Sequence, residues 1–100
     1  MRSIEFQILL ALAAGVRHGY AILRDIEARR EAGVETGTLY RALQRLLEQK
    51  CVRETKGPPG EDERRRFYAI TSHGRRALVE EARRMAALVA AARAIRIIPS

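Results

Sequence analysis

Six polar side chains recur along one short segment of the chain, residues 36–49, at spacings that suit contact with DNA. They are Thr36, Thr38, Tyr40, Arg41, Gln44 and Arg45. The same segment places leucines at i, i+4, i+7 and i+8, which is one stripe of a helix: Leu39, Leu43, Leu46 and Leu47. Hydroxyls, guanidinium groups and an amide can bind phosphates and base edges in a major groove. The pattern predicts a DNA-binding helix; an ordinary amphipathic surface helix is the alternative interpretation.

A second basic segment surrounds a predicted β-hairpin. Residues 51–56 and 65–71 alternate as strands do, with Val52, Tyr68 and Ile70 expected to face inward. The intervening GPPGEDER predicts a loop because Gly and Pro prevent regular structure. The basic residues of this hairpin are Lys56, Arg64, Arg65 and Arg66. We expect them to contact phosphates, with a charged, solvated hairpin edge as the alternative, and we expect the acidic tip at residues 61–63 to pair with the arginines when DNA is absent.

Composition is consistent with a nucleic-acid partner but does not select one. The 100 residues predict one domain, and the 47% hydrophobic content argues against disorder. The net charge is +7, carried by seventeen Arg and two Lys. Arginine suits phosphate and guanine because its planar fork donates two parallel hydrogen bonds. A basic protein can also bind RNA, an anionic membrane or an acidic protein.

Residues that could support catalysis or a metal site are sparse. His18 and His73 lie in different predicted elements without metal-ligand spacing. The GPPG sequence lacks the Lys-Ser/Thr of a phosphate-binding loop. The lone Cys51 suits a reducing cytoplasm and a packing role. We therefore expect no enzyme, no cofactor and no metal, and a cytoplasmic protein without a signal peptide or a membrane span.

The coarse element order is three helices, a hairpin and a long helix. Helices are predicted over residues 3–14, 19–30, 37–49 and 72–94, with a short turn at residues 32–35. The expected N-caps are Ser3, Thr36 and either Thr71 or Ser72, and Gly15 is the expected stop of the first helix. This order predicts a mainly α, α+β winged helix-turn-helix at residues 1–71 whose third helix enters the major groove. Residues 72–100 are predicted to form a dimerisation helix and a short tail.

The final helix carries a heptad-like seam. Its apolar residues are spaced 4, 3, 4 and 3: Leu78, Ala82, Met85, Val89 and Ala92. A domain of this size has a small core and gains stability by pairing with a copy of itself. The seam therefore predicts a homodimer.

Three segments of the chain occur in a characteristic order and spacing: HGYAIL at residues 18–23, GTLYRALQRLLEQ at residues 37–49 and EDERRRFYAITSHGRRAL at residues 61–78. Together they resemble the PadR family of bacterial transcriptional regulators. The resemblance covers nearly the whole chain and is to the small members with a single C-terminal helix. It implies a winged helix-turn-helix, a dimer formed through the C-terminal helix, and repression at an operator that overlaps a promoter.

Individual positions can be carried over from this resemblance. Thr38, Tyr40 and Arg41 match the family's GTLYR segment at the start of the recognition helix. His18, Gly19 and Tyr20 match its HGY segment, where we expect a helix cap or packing residue, a close helix approach and a core tyrosine, respectively.

The chain departs from the family pattern in the segment between the second and third helices, which is a few residues shorter, and at two positions beside the recognition helix. Glu35-Thr36 stands where Ser-Pro is frequent, and Glu35 is unfavourable for a nearby phosphate. Lys50 stands where a glycine usually follows the recognition helix. Because a non-glycine residue resists positive φ, Lys50 puts the sharpness of that turn in doubt.

The sequence thus predicts a repressor that binds a pseudo-palindromic operator as a homodimer. Half-sites roughly 34–36 Å apart are expected, with base contacts from Arg41 and Arg45. A winged helix can also serve as an RNA-binding or protein-interaction module, which is the alternative. A small apolar effector could bind between the final helices against Leu78, Met85 and Leu88. The chain has no tryptophan to stack on it, and the sequence names no inducer.

Overall fold

The computed structural model describes residues 1–29 and 33–99. In this part of the chain the elements are α1 (Ser3–Ala13), β1 (Arg17–His18), α2 (Gly19–Ala28), α3 (Thr36–Glu48), β2 (Val52–Thr55), β3 (Phe67–Ile70) and α4 (Ser72–Ala94). This order confirms the mainly helical winged helix-turn-helix. The predicted end of the second helix at Arg30, the start of the predicted turn at Ala32, and Ser100 of the predicted tail lie outside the described residues.

The sheet has a third strand, β1, in the segment between the first two helices. Its order is β1-β3-β2, and both pairings are antiparallel. Arg17 lies opposite Tyr68, so β3 is the central strand. Phe67, Tyr68 and Ala69 are all buried, and Phe67 packs against Gly57 and the His18 ring. The predicted alternation of inward and outward residues therefore fails there. Both hairpin strands are also shorter than predicted.

The core joins the three N-terminal helices to the sheet and to the first half of α4. Its largest fully buried side chains are Ile8, Leu9, Ile22, Ile26, Leu39, Leu43 and Leu46. On α3 the buried face includes Ala42, whereas Leu47 is only partly buried. Three of the four predicted leucines are therefore buried, and the buried stripe is completed by Ala42 in place of Leu47.

The helix N-termini differ in how they are capped. Arg2 precedes α1, and the Glu5 carboxylate accepts the Arg2 backbone N–H at 2.9 Å, so the predicted cap at Ser3 is wrong. Glu35 is the N-cap residue of α3, and no side-chain hydrogen bond caps this helix. The predicted cap at Thr36 is wrong, because Thr36 is the first helical residue. The Thr71 hydroxyl accepts the Gly74 N–H at 3.0 Å, which confirms the predicted cap of α4.

The turn after α3 is sharp although it contains no glycine. Lys50 adopts φ 61°, and its N–H donates to the Leu47 carbonyl at 3.1 Å. The next N–H, of Cys51, donates to the Leu46 carbonyl at 2.9 Å. These two bonds form a Schellman-type helix end, which directs the chain straight into β2. None of the helices within residues 1–29 and 33–99 has the length and apolar character needed to cross a bilayer.

Candidate nucleic-acid interface

The exposed face of α3 carries most of the predicted DNA-contacting side chains. Because Leu39, Ala42, Leu43 and Leu46 are buried, the outward face is centred on Gly37, Arg41, Gln44 and Glu48. Arg41 donates from Nη2 to the Thr38 hydroxyl at 3.3 Å, and Gln44 donates from Nε2 to Glu48 Oε1 at 3.4 Å. These bonds are long and exposed. They can be exchanged for contacts to a ligand at little cost.

Arg45 lies on the flank of α3 and points toward α1. Its Nε donates to Oε2 of Glu5 at 3.0 Å, and the Glu5 side chain is only 7% exposed. Burial raises the pKa of the Glu5 carboxyl, but hydrogen bonds from the Arg2 backbone and Arg45 outweigh it and hold the pKa below its usual value. To reach a base edge, Arg45 would have to break its hydrogen bond with the buried Glu5 carboxylate. This geometry argues against the base contact that the sequence suggested for Arg45.

Tyr40 connects the start of α3 to the start of α2. Its side chain is 45% exposed, and a Cβ on Gly19 would collide with its hydroxyl. This contact explains the glycine in HGY as a place of close helix approach. His18 caps α2, because its Nδ1 accepts the Ala21 N–H at 3.2 Å. Tyr20 is 57% exposed and is therefore not the core residue that was expected.

The loop between β2 and β3, residues 56–66, is the wing. Its arginines lie in this loop and not on a strand. The Arg65 N–H donates to the Asp62 carbonyl at 3.0 Å, which closes a turn at the base of the loop. Arg65 and Arg66, which were predicted to begin the second hairpin strand, therefore precede it, because β3 starts at Phe67. Lys56, Arg64, Arg65 and Arg66 are all exposed.

Each wing arginine has a different neighbour. Arg64 Nε lies 3.4 Å from Asp62 Oδ1, as expected from the acidic tip. Arg66 Nη1 lies 3.7 Å from Glu54 Oε1 on β2, and Arg65 Nη1 lies 2.9 Å from His18 Nε2. The predicted pairing with the tip is therefore found for Arg64 and not for the other two.

The N-terminus of α2 is where the recognition helix and the wing meet. Tyr40 of α3 reaches Gly19, and Arg65 of the wing reaches the adjacent His18. The recognition helix and the wing therefore lie next to each other at the start of α2. A surface made of a polar helix face and a flanking basic loop can hold a helix in a major groove and the neighbouring phosphates at once.

A separate apolar surface extends along the second half of α4. Gly74, Leu78 and Glu81 face the core, and Met85, Leu88, Val89 and Ala92 continue the same side of the helix. Leu88 is 58% exposed. Leu78 is already buried against its own core, so it is not free to form the predicted dimer seam or to line an effector cavity between two final helices. Among the other predicted seam residues, Ala82 and Val89 are exposed, and Met85 and Ala92 are half-buried.

Comparison with known proteins assigns the family. The model of the transcriptional regulator PadR-like family matches residues 8–80. The chain belongs to this family. A PadR family transcription regulator from Clostridium difficile R20291 has a similar structure, with a TM-score of 0.83 at 21% identity over 94% of this chain and 98% of that one.

Other similar proteins are more distant in fold or longer in sequence. RosR from H. salinarum superimposes with a TM-score of 0.73 at 28% identity, covering 85% of this chain and 74% of that chain. An uncharacterized 37.1 kDa protein in transposon TN4556 of Streptomyces fradiae is 41% identical over 90 residues. The alignment covers 88% of this PadR-like chain but only 25% of that protein, so the chain spans a quarter of the length of the curated relative that it matches. The PadR-like family comprises transcriptional regulators and not enzymes.

Two side-chain pairings were missed by reasoning from sequence. Glu5 is at the N3 position of α1, but Arg2 stands where the capping-box pattern has Ser or Thr, and the partner of Glu5, Arg45, is 40 residues away. His18 was recognised as a cap or packing residue, yet its neighbour Arg65 is 47 residues away. No local pattern reports such pairs, because they depend on how the elements pack.

Proposed function

We propose that this PadR-like protein is a sequence-specific DNA-binding repressor that acts in the cytoplasm as a homodimer on a pseudo-palindromic operator. The observation that carries the proposal is that α3 and the wing lie next to each other at the start of α2, where Tyr40 contacts Gly19 and Arg65 contacts His18. The two parts come from different elements, and simultaneous contact with a groove and its flanking backbone requires them to be neighbours.

Within this proposal the polar residues divide into two roles. Arg41 and Gln44 lie at the centre of the exposed face of α3, so they are assigned to base edges, where Arg suits guanine and Gln suits adenine. The remaining contacts are assigned to the phosphate backbone: Thr36, Thr38, Tyr40, Lys56, Arg64, Arg65 and Arg66. Contacts of the second kind fix the position of the protein and make its affinity dependent on salt.

The homodimer is supported by the uncovered apolar side of α4. A second copy would bury Met85, Leu88 and Val89 and would present a second recognition helix. Two symmetric recognition helices read inverted half-sites about one helical turn apart, roughly 34–36 Å. Repression follows if such a site overlaps a promoter and the bound dimer excludes RNA polymerase.

Selection of bound duplexes from a random pool tests DNA recognition, symmetry and spacing together. We expect enrichment of an inverted repeat, and Arg41→Ala should weaken the selected site by about 1–3 kcal/mol and relax specificity at one position of each half-site. Arg76→Ala, on the outer side of α4, is the matched control for loss of one positive charge. Failure to enrich any sequence, or equal affinity for duplex RNA, would contradict the proposal. Either result would favour the alternative, an RNA-binding or protein-interaction module. If Arg41→Ala bound the selected site with unchanged affinity, the placement of α3 in the major groove would be wrong.

A further inference from the structure

Gly37 lies in the first turn of the recognition helix, at a place where the backbone does not require glycine. It is the second residue of α3 and is exposed. Its backbone is not in the left-handed region, unlike that of Gly15 and Gly60. Glycine in a helix is less stable than alanine, because it loses more conformational freedom on folding. Gly37 therefore costs stability at a position where the helix itself would accept a side chain.

An added side chain at this position would meet the guanidinium group of Arg41. A Cβ built on Gly37 would lie 3.1 Å from Nη1 of Arg41, and the next two atoms, at 3.9 and 4.0 Å, belong to the same group. Long side chains of a helix lean back over the turn that precedes them. The Arg41 guanidinium therefore lies over the bare backbone of Gly37.

The hydroxyl of Thr38 holds the same guanidinium group from the other side. It accepts a hydrogen bond from Arg41 Nη2 at 3.3 Å. This bond uses only one N–H of the group, so the others remain available to the edge of a guanine. Before any DNA is bound, Arg41 is thus oriented over the start of α3 by a neighbour without a side chain and a neighbour with a short one.

We propose that Gly37 is a positioning residue for sequence recognition, because its missing side chain leaves the room in which Arg41 is directed at one base pair. This inference rests on the proposed function, in which Arg41 contacts a base edge. It adds to that function the residue that sets the direction of the contact, and it explains why a destabilising glycine stands in the first turn of α3.

The distances indicate how little displacement this arrangement tolerates. At 3.1 Å a Cβ is too close to Nη1, so the guanidinium group would have to move by a few tenths of an ångström. The bond to Thr38 is already 3.3 Å long, and lengthening by that amount brings it to the limit of a hydrogen bond. Contact groups must stay within about 0.5 Å of their productive positions. Gly37→Ala should therefore misdirect Arg41 without removing it.

Gly37→Ala should change stability and recognition in opposite directions. Because alanine favours the helix, the melting temperature should rise by roughly 2–4 °C. Affinity for the selected operator should fall about fivefold, the lower end of the loss expected for one bidentate base contact. The control is Gln49→Ala, which changes an exposed residue at the other end of α3 and should bind the operator as wild type does.

Operators with each base pair replaced in turn identify the contact that is affected. Gly37→Ala and Arg41→Ala should lose discrimination at the same base pair of each half-site and keep it elsewhere. In the Arg41→Ala background, Gly37→Ala should weaken binding by less than about twofold, because the side chain that it positions is already absent. If Gly37 instead made room for the DNA backbone, the two losses would add in full.

The outcomes separate this inference from the function on which it rests. If wild type selects no operator, the proposed function fails and the role of Gly37 fails with it. If wild type selects an operator and Gly37→Ala binds it equally well, or adds its full loss to that of Arg41→Ala, Gly37 does not position Arg41 and the regulator proposal stands. A melting temperature below that of wild type would show that the fold itself needs this glycine, which would also overturn the inference.

Discussion

At the scale of single residues, Lys50 occupies a backbone conformation that its own side chain opposes. Its φ of 61° is in the left-handed region, and the two bonds of the helix end hold it there. We expect Lys50→Gly to stabilise the fold by roughly 0.5–1 kcal/mol, since glycine removes the steric cost but loses more chain entropy on folding. Chemical denaturation measures the change.

Gln49→Gly is the matched control for Lys50→Gly. Gln49 is exposed and keeps a right-handed conformation with φ −80°, so glycine there should destabilise the protein. A destabilising Lys50→Gly would mean that the lysine side chain contributes more than its backbone strain costs.

Glu5 makes stability depend on pH. The carboxylate is buried and receives hydrogen bonds from the Arg2 backbone and Arg45, so its pKa in the folded protein is lowered. A lowered pKa stabilises the fold fully above the ordinary glutamate value of about 4.3 and loses that contribution as pH falls through the lower folded value. We expect Glu5→Gln to cost roughly 1 kcal/mol near neutral pH and to flatten the decline of the free energy of unfolding in acid.

Denaturant titrations between neutral and acidic pH compare these slopes. Glu48→Gln, which changes an exposed carboxylate on α3, should leave the wild-type slope almost unaltered. Parallel curves for wild type and Glu5→Gln would show that this carboxylate has no altered affinity for protons in the folded state.

At the scale of elements, the direction of α4 is set where it leaves the sheet. The Thr71 N–H donates to the Cys51 carbonyl at 3.0 Å, and its hydroxyl donates to the Lys50 carbonyl at 2.6 Å. One turn later Gly74 is buried so closely that an added Cβ would collide with the Cys51 carbonyl. The start of α4 is therefore fastened directly to the chain between α3 and β2.

Gly74→Ala tests how tightly these elements are joined. The new methyl group meets backbone and not a flexible side chain, so α4 must shift, and we expect a loss of roughly 2–3 kcal/mol. Thermal unfolding followed by circular dichroism measures it, with Ser72→Ala in the exposed first turn as the control. An unchanged midpoint would mean that α4 can move away from β2 freely.

The elements also show which part of the structure could be predicted from sequence. Features with a local cause were confirmed: the helical period, the Gly-Pro loop, the Thr71 cap and the end of α4 at Ala94. The family resemblance, which rests on three ordered segments, was confirmed by the match of the family model to residues 8–80.

Long-range pairings could not be predicted. β1 is only two residues long and pairs with β3, about fifty residues further along the chain. The ion pair of Arg45 with Glu5 spans 40 residues and turns a predicted base contact away from the groove. The predicted stripe on α3 was right for Leu39, Leu43 and Leu46 but included Leu47 in place of Ala42, because hydropathy gives more weight to the larger leucine.

At the scale of the whole molecule, the described residues measure 52 × 29 × 23 Å. The helix α4 is 23 residues long, and its first half packs on the core. From Met85 to Ala92 it carries no charged residue. A helix segment that is apolar on all sides is normally covered, and within one chain Leu88 and Val89 are exposed.

A second copy of the chain is the cover that we propose, and Leu88→Glu tests it. A charge introduced at the centre of a buried apolar contact should raise the dimer dissociation constant at least about 30-fold, the effect of losing roughly 2 kcal/mol. Sedimentation velocity across a dilution series would then show a monomer where wild type is a dimer.

The control is Ala90→Glu, on the opposite side of α4, which should dimerise as wild type does. Because operator affinity depends on two linked recognition helices, Leu88→Glu should also bind a full operator little better than a half-site. Two results would contradict a second copy as the cover of this side of α4. One is a wild-type protein that stays monomeric at operator-binding concentrations, and the other is an equal dimer dissociation constant for Leu88→Glu and Ala90→Glu.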